Sequence, residues 1–160
     1  MQHIGWEGSP SSLGLFVATL APLVDRLDLD LDVGVTVLPK LGLECYFQMS
    51  PDGREKLTRF LDYLVDQSWC SATQADALLA YPGYVTARAD LERWPRNLLH
   101  SSHLLGSGMV SMFLRYLHHI KVVYHHDGRG EAKAYLAVSH SWCARAVLRQ
   151  WQRSFAQVSA

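Results

Sequence analysis

Between Leu27 and Val33 the chain reads Leu-Asp-Leu-Asp-Leu-Asp-Val, and this strict alternation constrains the segment more than any other feature of the sequence. In a β-strand it buries one side and sets three carboxylates on the other, whereas a helix would scatter both sets around its circumference. The same period returns at Leu43-Glu44-Cys45-Tyr46-Phe47. An antiparallel hairpin then aligns Leu27, Leu29 and Leu31 with Leu43, Cys45 and Phe47, and gathers Asp28, Asp30 and Asp32 with Glu44 and Tyr46. Carboxylates crowded on one face demand a cationic counterpart, from a neighbouring strand, a bound ion or a substrate. The connection between the two strands is itself apolar at Val35, Val37 and Leu38, which either fold back or meet a partner.

A chain of 160 residues suits one hydrophobic core, so a single domain over residues 1–160 is expected. Lys plus Arg equals Asp plus Glu at 15 each, which leaves no basic footprint for nucleic acid. The longest apolar run, Leu13 to Val24 with Pro22 inside it, is too short to span a bilayer and follows no basic leader. A cytoplasmic protein without membrane contact is the expectation. Cys45, Cys70 and Cys143 are odd in number and set in apolar patterns, which predicts buried free thiols rather than disulfides.

Helical spacing of Leu13, Phe16, Leu20, Leu23 and Val24 predicts a first helix capped by Ser11 or Ser12 and ended near Pro22. Ser50 followed by Pro51 opens a second, with Leu57, Phe60, Leu61, Leu64 and Val65 on one face. Thr73 with Asp76 resembles a capping box for a third, stopped by Pro82-Gly83. Residues 81–108, rich in aromatic side chains including Trp94, read as a long connection.

A second hairpin is signalled by Ile120 to Tyr124 and Glu131 to Val138 around an Asp127-Gly128 turn. Only an odd loop sets Ile120, Val122 and Tyr124 on the face of Ala132, Ala134 and Leu136, leaving Lys121, His125, Glu131, Lys133 and Tyr135 outside. Gly130 is the expected left-handed bulge residue. Met109 to Leu117 fits either a backward extension of this strand or a short helix. A last helix is expected from about Ser141 to Gln157, with Val147, Leu148, Trp151 and Phe155 buried and Arg145, Arg149 and Arg153 forming a cationic ridge. The sum is an α+β fold: an antiparallel sheet of about four strands in two hairpins, with helices packed on one face.

The candidate binding residues are Asp30, Glu44, Lys121, Lys133 and Tyr135 on the polar sheet face, Trp94 in the aromatic connection and Arg149 on the last helix. Val35, Val37 and Leu38 are the candidate partner contacts. Two metal sites can be drawn: Asp28, Asp30 and Glu44 for Mg²⁺ or Ca²⁺, and His118 or His119 brought near His140, with at most one of each adjacent histidine pair serving since strand neighbours point to opposite faces. No ligand loop and no His-Glu-x-x-His or Cys-x-x-Cys signature is present, however, and no metal is expected. No cofactor motif is present either.

Lys133-Ala134-Tyr135, with Lys121 and Tyr124 and the order of elements, resembles the Lys/Tyr-bearing strands that hold a diphosphate inside the α-β-β-α barrels of aromatic prenyltransferases. Such barrels need about ten strands, so the resemblance implies half a barrel completed by a second copy or another polypeptide. It also implies a transferase acting on an anionic substrate, with Lys121 and Lys133 holding the anion. The residues read by themselves favour another expectation: a non-catalytic binding or accessory protein that holds a peptide, a protein partner or an amphipathic small molecule on the polar sheet face, the apolar Val35 to Leu38 loop and the aromatic Tyr81 to His103 segment.

Overall fold

The computed structural model describes residues 9–30, 40–86, 95–96, 108–125 and 129–149. Within these the chain forms an antiparallel sheet of five strands with helices, an α+β fold, and divides into two compact units. The first unit comprises Met1–Tyr81 and Leu117–Ala137, the second Pro82–Tyr116 and Val138–Ala160.

In the first unit, helix α1 spans Pro10–Leu20 and buries Leu13, Phe16 and Leu20. Its cap is Ser9, whose hydroxyl accepts the Ser12 N–H, rather than Ser11 or Ser12, because Pro10 is suited to the first helical position. A 3₁₀ turn at Ala21–Leu23, containing Pro22, ends it. Strand β1 (Arg26–Asp30) pairs with β2 (Lys40–Tyr46) in the register that alternation demands, Leu27 opposite Cys45, Asp28 opposite Glu44 and Leu29 opposite Leu43. Residues 31–39, with the expected partner contacts Val35, Val37 and Leu38, lie outside the described residues.

Helix α2 (Pro51–Asp66) is capped by Ser50, which accepts the Gly53 N–H, and buries Leu57, Phe60, Leu61 and Leu64. Its end is a Schellman motif: Ser68 N–H donates to the Val65 carbonyl and Trp69 N–H to the Leu64 carbonyl, both at 2.9 Å. The left-handed position is held by Ser68, with φ of 61°, where glycine is usual. Helix α3 (Ala72–Ala80) opens on a capping box of Ser71 and Gln74, not Thr73 and Asp76. The Gln74 side chain accepts the Ser71 N–H at 2.9 Å, a reciprocal bond that the longer amide reaches two residues earlier than expected.

Strand β4 spans Met109–His125 and β5 Gly130–Ala144, so Met109 to Leu117 is strand. The ladder of β2 with β4 sets Glu44 opposite Lys121 and Cys45 opposite Ile120, giving the order β1-β2-β4-β5 in this unit. The His125 N–H donates to the Arg129 carbonyl, leaving three loop residues, the odd number that the alternation of both strands requires. Gly130 is not left-handed. A Cβ there would collide with the Trp69 indole, so the glycine makes room for that ring. Leu20, Leu41, Leu43, Phe60, Leu64 and Val122 form the heart of this unit's core.

In the second unit, Gly83–Thr86 form β3, which pairs with Met112–Arg115 of β4. The expected connection thus holds a strand, as the β-formers Tyr84, Val85 and Thr86 favour once an edge is available. Strand β5 continues through Trp142 and Cys143 to Ala144, and helical conformation begins at Arg145 rather than Ser141. Cys143 is buried with Met112 and Leu148, and the Arg145 N–H donates to the Gly108 carbonyl, which extends the strand past the predicted helix start. Val147, expected in the buried stripe, is exposed. No helix among the described residues is long and apolar enough to cross a membrane.

Candidate functional site

The first unit carries two features that the fold builds deliberately, one on each side of its sheet. The polar side holds the acidic residues of β1 and β2, and the cation that they demand comes from β4. Lys121 lies opposite Glu44 and donates its ammonium to the Asp30 carboxylate across Gly42. Arg26 bonds Asp28 at 3.1 Å and lays its guanidinium 3.9 Å above the Tyr46 ring. On β5, Lys133 bonds Glu131 at 3.2 Å, which holds the Glu131 carboxyl below its usual range. Both lysines that the sequence offered to an anion are thus engaged by carboxylates of their own sheet.

Beside them lies a closer constellation. Tyr46 donates its hydroxyl to Glu44 Oε2 at 2.5 Å, and that carboxylate raises the phenol above its usual range. The other Glu44 oxygen lies 3.7 Å from His119 Nε2. The His119 ring is stacked on Tyr135, centroids 4.3 Å apart and planes within 17°. It is only 7% exposed, and burial holds its imidazole below the usual histidine range despite the Glu44 charge. Its Nε2 is fully buried and makes no hydrogen bond. Its Nδ1 lies 2.7 Å from Nδ1 of His118, a residue open to solvent.

Two consecutive histidines share a side because β4 breaks its alternation here. Leu117 and Ile120 both enter the core cluster, so two residues rather than one stand between successive core positions, as at a β-bulge. Both imidazoles accordingly lie against Tyr46, at centroid distances of 5.9 Å for His118 and 5.3 Å for His119. This corrects the expectation that the pair would face opposite ways. The sequence carries no clear signal of this, because apolar residues also stand side by side at Met112-Phe113-Leu114 and Val122-Val123, so β4 has no regular apolar alternation against which the break would show.

On the core side, β5 is covered only in part: Gly130 lies against the Trp69 ring and Ala132 packs on the core, but Leu136, on the same apolar period, is 48% exposed. Between β5 and the end of α2 with α3 opens a groove of about 340 Å³, lined by Leu64, Trp69 and Leu78 on one wall and by Ile120, Ala134 and Leu136 on the other. Its size falls at the small end of the range for ligand pockets. Among the described residues, β5 pairs with β4 alone. No sequence signal announced this groove, since it depends on how far the helices reach across the sheet.

Of the sequence-derived candidates, Asp30, Glu44, Lys121 and Tyr135 are brought together on the polar side, and Lys133 lies on the same strand as Tyr135 but is paired with Glu131. Arg149 is exposed in the second unit, and Trp94 lies outside the described residues. Tyr46, expected on this face with Glu44, completes the cluster together with both His118 and His119, of which the sequence allowed at most one. Among the described residues no three His, Cys, Asp or Glu side chains converge on one point. Comparison with family models, with curated proteins and with solved structures finds no match for the chain.

Proposed function

We propose that this chain is a non-catalytic accessory protein that takes an extended, apolar segment of a partner protein along β5. The supporting observation is that, within the first unit, β5 pairs with β4 alone among the described residues, leaves the apolar Leu136 exposed and borders the groove. An added strand supplies main-chain hydrogen bonds to the strand edge, and its alternate side chains drop into the groove, the division of affinity and specificity that strand addition uses. The transferase alternative draws less support, because it needs Lys121 and Lys133 to face an anion and each is bonded to a carboxylate.

The reading is tested with a synthetic ten-residue peptide alternating Val and Thr, and the same peptide with proline at its centre. The first is expected to bind and to protect β5 amides from hydrogen exchange, and the second to fail, since proline removes a ladder donor. Leu136→Asp should abolish binding of the first. Equal binding of both peptides, or binding of neither, overturns the proposal.

A further inference from the structure

His119 is an imidazole that the fold has fixed in place and left with work undone. Tyr135 clamps its ring, Glu44 faces its Nε2 at 3.7 Å, and its Nδ1 is directed at Nδ1 of His118 across 2.7 Å. Two nitrogens that close need something electropositive between them. With the His119 proton on Nε2, facing the carboxylate, His119 Nδ1 accepts and His118 Nδ1–H donates, so a single proton occupies the gap.

We propose that His118 and His119 form a two-imidazole site for a divalent late transition-metal ion of the zinc, copper and nickel class, with Glu44 as the outer carboxylate that orients His119. Imidazole nitrogen suits these ions. A ligating histidine characteristically donates its second ring N–H to a carboxylate or carbonyl, and Glu44, itself held by the Tyr46 hydroxyl, is positioned for that role. On metal binding His118, an exposed residue, gives up its Nδ1 proton to solvent and takes one at Nε2. Both imidazoles stay neutral and both Nδ1 lone pairs point at the ion. Two nitrogens at Zn–N distances of about 2.0–2.1 Å around a tetrahedral centre stand roughly 3.3 Å apart. The pair must therefore open by about 0.6 Å, a movement available to exposed His118 while buried His119 stays clamped. Water fills the remaining positions, so the ion is held at an open and exchangeable site.

The site exists because both rings lie against Tyr46, whereas a regular strand would send them to opposite faces. The inference is independent of the proposed peptide function, which uses the other side of the sheet.

The test is titration of the untagged, full-length protein with Zn²⁺ by calorimetry, and with Cu²⁺ by electron paramagnetic resonance. The wild type is expected to take up one equivalent with hyperfine coupling to two nitrogens. His118→Ala, a surface change that leaves the core alone, should weaken binding at least tenfold. Glu44→Gln should weaken it about tenfold. The double variant His125→Ala/His140→Ala should bind as the wild type does, because those histidines take no part. Unchanged Zn²⁺ binding in His118→Ala, loss of binding in the His125/His140 variant, or no uptake by the wild type overturns the proposal.

Discussion

Lys121 reaches Asp30 over the bare backbone of Gly42: a Cβ at position 42 would stand 2.5 Å from Lys121 Cε. The strand between the two partners therefore carries no side chain at that point, and the ammonium crosses it to neutralise β1. A sheet that gathers acidic residues on one side thus has its counterion delivered from two strands away.

Gly42→Ala is expected to push Lys121 off Asp30. Its effect should be coupled to Asp30→Asn, because both changes remove one interaction, with a coupling energy of about 0.5–1 kcal/mol in a double-mutant cycle. Denaturant unfolding of the two single variants and the double variant measures it. Strict additivity would show that the glycine serves some other purpose.

Ser68 holds the left-handed position of the Schellman motif that ends α2, a conformation costly for a residue with a Cβ. Ser68→Gly should stabilise the protein by about 1 kcal/mol, raising Tm by about 2–4 °C for a chain of this size. A lower Tm would mean that the serine side chain contributes more than its backbone strain costs.

Asp25 accepts from Lys56 Nζ at 2.5 Å and from the Gln48 N–H at 2.7 Å, and these bonds hold its carboxyl below the usual value of 3.8. A depressed folded pKa means that the unfolded chain binds the proton more readily. The stabilisation is therefore complete above 3.8 and is lost as pH falls through the lower folded value. Asp25→Asn should cost about 1–2 kcal/mol at neutral pH, and the stability curves of the two proteins should converge only in strong acid. Parallel curves over the whole range would assign the loss to packing instead of charge.

Where a residue's fate depends on its immediate neighbours, the sequence could be read. The β1–β2 register follows from Leu27, Leu29 and Leu43 through side-chain period alone, and the start of α2 from Ser50 and Pro51. Two Ser/Thr-led frames two residues apart overlap at the start of α3, and only the reach of Gln74 back to Ser71 decides between them. The partner of Asp30 was foreseen as a cation from a neighbouring strand, ion or substrate, and Lys121 fills the first of these roles. The shared side of His118 and His119 is not legible from a period of two, because the apolar residues of β4 do not alternate and only the folded strand places Leu117 and Ile120 together in the core. The groove is not legible in the sequence, because it depends on how far along β5 the end of α2 and α3 reach, a matter of packing geometry rather than pattern.

The pairing of β2 with β4 has a kinetic price tag of its own. Lys40 meets His125, so β2 must wait for a partner about half the chain away, with α2, α3 and β3 made in between. During synthesis, Leu41, Leu43 and Cys45 therefore emerge before the strand that will pair with theirs, and the apolar faces of α1 and α2, made just before and just after them, are the parts of their core at hand to cover them.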